Sequence, residues 1–256
     1  MFARSSAVLA LALVACGSGN REPVHHAAPV TPAVSPPLRA PTEPSLLYRR
    51  APSKTLGAAL GRFQMTYYWI AEQKRSGSAV ALRDPSCREL ARVSRSFARR
   101  LRLEGTGRLR DGRVLNVAGG CKCSRTCYFV ANQDRSSWGV GVRNRPLKPF
   151  RSIAVDPRRI PIGSWLYVEE LDGMLMPGNS KYGSFVHDGC VVADDRGGGV
   201  KGRQIDFFAG RRRHYFELHD KQAMTRVTIR RGGRHCMRHD AARTADSRRR
   251  SESVDG

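Results

Sequence analysis

Residues 191–210 read VVADDRGGGVKGRQIDFFAG. An apolar run leads into two adjacent acids, a glycine cluster follows, and a lone acid, Asp206, stands between Ile205 and Phe207-Phe208. Gly197, Gly199 and Gly202 satisfy the G-x-G-x-x-G spacing of a dinucleotide-binding loop. Such a loop opens a long helix whose N-terminus faces a pyrophosphate. Here the segment after Gly202 has room for at most about two helical turns before Gly210. Acids stand directly before the loop, where they would repel a phosphate, and no βαβ alternation surrounds it. Lys201 is followed by glycine rather than Ser or Thr, so the Walker type fails as well. The stretch reads instead as a glycine-rich reversal that carries carboxylates.

Outward from it, the pattern is one of short strands and tight turns. SIAV (152–155) is stopped by Asp156-Pro157, SWLYVEE (164–170) follows a Pro161-Ile162-Gly163 turn, and TRVTIR (225–230) alternates cleanly. GRFQMTYYWIA (61–71) is dense in β-formers and reads as a first strand. Asp111-Gly112 between two strand-like runs signals a hairpin. One amphipathic helix is expected after Asp84-Pro85, an N-cap followed by proline, with Leu90, Val93, Phe97 and Leu101 on one face. Several short strands with turn signals predict a mainly β barrel or sandwich rather than a parallel α/β sheet.

The ends read differently. The apolar run Ala7–Val14 is too short to span a bilayer, which takes about 20 residues, and reads as a secretory signal. It ends in Leu13-Val14-Ala15-Cys16, which looks like a bacterial lipobox, so residues 1–15 are expected to be a signal peptide and Cys16 the lipidated first residue. A Pro/Ala-rich stretch over 16–55 reads as a tether. The folded domain is placed at 56–235, and 236–256 reads as a basic disordered tail. Gly17 after the cysteine fits an exported lipoprotein on the periplasmic face of the outer membrane.

Beyond Cys16 lie Cys87, Cys121, Cys123, Cys127, Cys190 and Cys236, an even set that suggests up to three disulfides in an oxidising compartment, with the pairing open. The Cys121–Cys127 cluster lacks the paired C-x-x-C spacing of common zinc sites, and no metal is assigned to it. The formal charge is +23, and residues 211–250 hold 13 Lys or Arg against 4 Asp or Glu. Such a surface attracts polyanions. For an exported protein these are the cell wall, with its peptide carboxylates, and lipid phosphates rather than nucleic acid.

Glycosidic cleavage needs an acid that stays protonated near neutral pH, which apolar burial achieves. Asp206 has that local setting, and Asp195 stands 11 residues before it across the reversal. From the residues alone the two read either as such a pair or as surface and capping acids.

SIAVDPRRIPIGSWLYVEELDG (152–173) followed by VVADDRGGGVKGRQIDFF (191–208) resembles the three-aspartate domain of membrane-bound lytic murein transglycosylases of the A type. The match is strong over about 150–210, and its acids fall on Asp156, Asp195 and Asp206. The resemblance implies a six-stranded double-psi β-barrel. The strand at Tyr67-Tyr68 and the segment from Gly105 to Val117 would be its early strands. It also implies cleavage of the β-1,4 bond between N-acetylmuramic acid and N-acetylglucosamine to a 1,6-anhydro product, without metal or cofactor. Asp206 would act as single general acid and base, with Asp195 and Asp156 in support. Lys201, Gly198 and Tyr67 would contact the glycan. A non-catalytic peptidoglycan-binding lipoprotein and a hydrolase using Asp195 and Asp206 are the alternative readings. Three features depart from the pattern: Arg196 follows the second aspartate, Asp194 adds an acid beside it, and the chain between the early and late strands, which holds a cysteine-rich insertion around Cys121–Cys127, reads as too short for a second domain that walls the saccharide groove.

Overall fold

The structure is a computed structural model and describes residues 55–238 apart from 75–76, 135, 180–182 and 223. The expected signal peptide, Cys16, the tether and the last 18 residues of the basic tail lie outside the described residues. The strands are β1 (Ala59–Tyr68), β2 (Ala71–Glu72), β3 (Val80–Arg83) and β4 (Glu89–Val93), followed by helix α1 (Arg95–Glu104). Next come β5 (Thr106–Arg108), β6 (Val114–Cys121), β7 (Ser124–Val130), β8 (Ser152–Val155), β9 (Trp165–Val168), β10 (Cys190–Asp195) and β11 (Gln204–Phe208). Helix α2 (Arg212–Gln222) and β12 (Arg226–Arg231) follow.

Six strands close into a barrel in the order β1-β11-β8-β10-β9-β12. The pairs β1/β11 and β8/β10 are parallel and the remaining contacts antiparallel, which gives the double-psi arrangement. Strand periodicity fills the interior. Each strand sends alternate residues inward: Phe63 and Met65, Ile205 and Phe207, Ile153 and Val155, Val191 and Ala193, Leu166 and Val168, Val227 and Ile229. Burying one such Val, Leu, Ile or Phe side chain contributes about 1.5–3 kcal/mol.

The chain between β1 and β8 does build a second layer, contrary to the reading that it is too short. β2, β5, β6 and β7 form a four-stranded sheet, and β3 and β4 a hairpin beside α1. Phe97 and Leu101 of α1 pack with Leu82, Val93, Leu115 and Tyr128 in a core of their own. A third apolar cluster, with Tyr68, Phe208 and Ala154 from the barrel and Val114, Trp138 and Leu147 from this region, joins the two layers. The Asp111-Gly112 hairpin forms between β5 and β6, so the Gly105-to-Val117 segment belongs to this sheet and not to the barrel.

The helix starts ten residues later than Asp84-Pro85 suggested. The Asp84 carboxylate accepts the backbone N–H and the Nε–H of Arg88, both at 2.9 Å, and closes a tight β3–β4 turn. Cys87 in that turn has φ 67, which no helix interior accommodates. Ser94 is the working N-cap, its hydroxyl oxygen accepting the Phe97 N–H, and Gly105 at φ 76 ends the helix in the left-handed conformation. The segment after Gly202 is the strand β11, not helical turns. A second helix, α2, was not read from the sequence: of its apolar residues only Leu218 is fully buried, so no stripe marks it.

The six cysteines pair as Cys87–Cys123, Cys121–Cys127 and Cys190–Cys236. The first ties the β3–β4 turn to the β6–β7 hairpin, and the second staples that hairpin across its own end. Cys236 is fully buried and bonded to β10, so the ordered domain runs past 235.

Candidate active site

Asp206 lies on β11 between two inward residues, Ile205 and Phe207, and therefore points out of the barrel. Its register partner on β8 is Ala154, and its partner on β1 is Thr66. Asp195, by simple alternation after inward Val191 and Ala193, would point into the barrel. A bulge prevents this. Ala193 pairs with Ile153 and Asp195 with Ala154, leaving Asp194 as the extra residue. The bulge turns Asp195 onto the same outer face as Ala154 and Asp206, the re-aiming that bulges perform beside functional sites.

Asp194 is occupied elsewhere. Its carboxylate accepts Arg145 Nε–H at 2.7 Å and the Ser152 hydroxyl at 2.6 Å. Gly141 packs against this strand so closely that a Cβ there would collide with the Asp194 carbonyl.

A cleft of about 550 Å³ opens over the pair. Its floor is Tyr68, Ala154, Asp195 and Asp206, with Gly197 and Gly198 at one edge. The facing wall comes from the second layer: Glu104 and Gly105 at the end of α1, Thr106 on β5, Asn116–Gly119 on β6, and the Val140–Arg143 turn. The Asn116 side chain fastens this wall, donating to Thr106 Oγ1 and to the Val140 carbonyl, both at 2.8 Å.

Burial sets the electrostatics. It pushes the Asp206 carboxyl up to about 6; the Thr66 hydroxyl counteracts this in part and the Asp195 charge adds to it. Asp206 Oδ1 is buried without a hydrogen-bond partner. Asp195 is also pushed up to about 6, mainly by burial, against the Arg196 N–H that its carboxylate accepts at 2.8 Å. Tyr68 donates to Asp195 Oδ2 at 3.5 Å, and burial together with the nearby carboxylates holds its phenol protonated. Glu104 accepts the Trp69 N–H at 3.3 Å and is pushed up to about 7, chiefly by burial. Three carboxyls thus share the cleft, each with its charged form disfavoured.

Asp156 is buried outside the cleft lining and ion-paired with Arg158 Nη2 at 3.0 Å. It also accepts the Gly202 N–H at 2.9 Å, so it pins the reversal rather than facing a substrate. The Arg158 hydrogen bonds, together with that N–H, hold its carboxyl well below the usual range. Gly198 lines the cleft, whereas Lys201 is exposed away from the lining. Tyr67 is on the other face of β1: its ring packs on Phe207 and Tyr215, and its hydroxyl donates to the Met224 carbonyl. The tyrosine in the cleft is its neighbour Tyr68, which strand alternation from inward Phe63 and Met65 identifies once the register is known. Glu104 and the β6 wall carried no signal in the sequence beyond their residue types. The glycines of the reversal lead into a strand, so no helix N-terminus stands there for a phosphate.

Residues 151–222 match the family model of the 3D domain. This segment is similar to the 3D domain. It contains Asp156, Asp195 and Asp206, the three acids of its name, and five of the six barrel strands lie in or next to it. No curated protein matches the chain. Among solved structures, it is similar to MltA of Escherichia coli with bound chitohexaose (15% identity, TM-score 0.44, covering 68% of this chain and 72% of that one). It is also similar to a membrane-bound lytic murein transglycosylase from Agrobacterium tumefaciens (14%, TM-score 0.42, 68% and 74%). A further likeness is to the lytic transglycosylase LtgG of Burkholderia pseudomallei (19%, TM-score 0.38, 66% and 70%).

Proposed function

We propose that the protein is a peptidoglycan lytic transglycosylase with Asp206 as its single general acid and base. The observation that carries this reading is the state of Asp206: a cleft carboxyl pushed up to about 6, with a buried oxygen left without a partner. A buried polar atom without a partner is costly unless something completes it, and a glycosidic oxygen or a sugar hydroxyl would do so. The 3D domain and its three acids supply the reaction class.

Asp206 gives its proton to the oxygen between muramoyl C1 and the next sugar, and the C1–O4 bond breaks. The muramoyl C6 hydroxyl then attacks C1 and returns its proton to the Asp206 carboxylate. One C1–O6 bond forms, the leaving sugar keeps a free hydroxyl, and no water is consumed. The nucleophile is part of the substrate, so its effective concentration is high and one placed acid suffices. Asp195, held by Tyr68 and the Arg196 N–H, stabilises positive charge developing at C1 when ionised.

A two-carboxylate hydrolase would need Asp195 ionised while Asp206 stays protonated, and such pairs are held in environments that push the two apart. Here the same burial pushes both up to about 6, so titration alone does not separate the two routes and the products do. The test is digestion of purified peptidoglycan with the wild type and Asp206→Asn, read by mass spectrometry. Anhydro-muropeptides from the wild type alone are expected. Reducing-end products would select the hydrolase, and binding without cleavage the non-catalytic lipoprotein. We infer further that a lipid on Cys16 tethers the domain to the outer membrane. Labelled palmitate should enter the wild type and not Cys16→Ser.

A further inference from the structure

The chain carries a large excess of arginine, and across the fold many of these side chains are paired. Arg145 is spent on Asp194, Arg151 on Asp188, Arg158 on Asp156, Arg211 on Glu72 and Arg88 on Asp84. Around the cleft the pattern reverses. Arg102, Arg143 and Arg196 all line it, all are exposed, and none has its guanidinium in a hydrogen bond or ion pair among the described residues. They come from separate places in the fold: Arg102 from the last turn of α1, Arg143 from the turn before β8, and Arg196 from the end of β10.

The turn that presents Arg143 holds it in a conformation that side chains disfavour. Arg143 and Asn144 are consecutive non-glycine residues in the left-handed region, at φ 57 and 56. Such positions are disfavoured for side-chain-bearing residues and gather at ligand clamps. The turn is braced from behind, where Arg145 is fixed to Asp194 and Gly141 lies against the same strand.

The cleft is therefore layered by charge. Its floor holds carboxyls whose charged form is disfavoured, which suits neutral sugar. Its rim holds three guanidinium groups that make no ion pair or side-chain hydrogen bond among the described residues, and their planar forks match a carboxylate's two oxygens. We propose that the rim formed by Arg102, Arg143 and Arg196 recognises the carboxylates of the stem peptides that project from the glycan strand, so that the preferred substrate is the peptide-bearing polymer with its peptide carboxylates free. This rests on the glycan-cleaving reading of the cleft and adds the substrate class. Arg196, which departs from the resemblance's pattern beside the second aspartate, then has a role: its backbone N–H serves Asp195 while its side chain reaches the substrate's charge.

The probe is peptidoglycan compared with the same material after its carboxylates are capped as methylamides by carbodiimide coupling. Binding is measured on the full chain carrying Asp206→Asn, so that cleavage does not intrude, with and without Arg102→Gln, Arg143→Gln and Arg196→Gln together. Capping should weaken binding about tenfold or more, the triple variant should bind native and capped material alike, and added salt should weaken only the native pair. In the active chain Arg102→Gln and Arg143→Gln together should raise KM and leave kcat within about twofold, since rim contacts act on the ground state and transition state equally. Equal binding of native and capped material overturns the proposal, as does unchanged binding by a triple variant whose melting temperature matches the parent. Arginine-dependent binding to vesicles of anionic lipid as tight as that to peptidoglycan would also overturn it, by assigning the rim to phosphate. Arginine-dependent binding with no cleavage by the wild type would sink the catalytic reading and leave this one standing.

Discussion

Asp195 and Asp206 take the same register partner, Ala154, from opposite sides of β8. Three adjacent strands thus set the two acids across a single small side chain, with Cα atoms about two strand spacings, or roughly 9–10 Å, apart. The glycine reversal between them does not bring them together by itself; the intervening strand fixes their separation. Alanine at the middle position keeps the floor low. Replacing Ala154 with Val adds two methyl groups where the sugar would rest. Overpacking of this kind costs about 1–3 kcal/mol of stability. The loss in kcat/KM should be about a hundredfold, because displacing substrate by about 1 Å is enough for that. Steady-state kinetics beside a melting curve checks it; a loss of stability without a matching loss of turnover would place the substrate elsewhere.

Asp206→Asn should abolish turnover and stabilise the fold. The folded Asp206 carboxyl sits at about 6 against an ordinary 3.8, so in that interval the native state binds more protons than the unfolded one. Stability is then full below about 4 and is lost as pH rises through about 6. Asparagine never ionises and escapes that loss. The variant and wild type should melt together at pH 4, and the variant should melt a few degrees higher at pH 7.5. The difference is on the order of 3 kcal/mol. Scanning calorimetry at the two pH values decides it.

The pH dependence of kcat/KM should report the same carboxyl. Turnover starts from protonated Asp206, so the rate should fall about tenfold per unit as pH rises above about 6. The Asp195 charge helps to hold that value up. Asp195→Asn removes it, so the falling limb should move to lower pH as well as losing height. A limb that stays in place would mean that the two carboxyls do not feel each other.

The barrel was legible because its strands carry their own punctuation. Asp156-Pro157, Pro161-Ile162-Gly163 and the alternation of Arg226–Arg231 each mark an end or a face locally. The candidate acids were legible because Asp206 is flanked by residues that alternation must bury. What the sequence hid depended on contacts distant along the chain. The choice of Tyr68 over Tyr67 follows from register with β11, and the outward turn of Asp195 from a bulge that only pairing with β8 defines. The stripe Leu90, Val93, Phe97 and Leu101 satisfies helical spacing throughout, yet its first half is a strand. The Cys87–Cys123 bond and the Asp84–Arg88 contacts hold a turn there that propensity alone does not reveal. The facing wall was underestimated because many short strands occupy few residues each.

Asp156 should behave as the opposite of Asp206. Its hydrogen bonds to Arg158 and to the Gly202 N–H hold its folded carboxyl below the ordinary value, so it adds stability above about 4 that is lost as pH falls further. Asp156→Ala should therefore lower the melting temperature at pH 7, and that deficit should shrink toward pH 3. Freed from its anchor at Gly202, the reversal that carries Gly197 and Gly198 along the cleft edge should hold substrate less well, raising KM. The falling limb near pH 6 should not move, because Asp156 holds the loop and transfers no proton. A displaced limb in this variant would make Asp156 part of the titrating site.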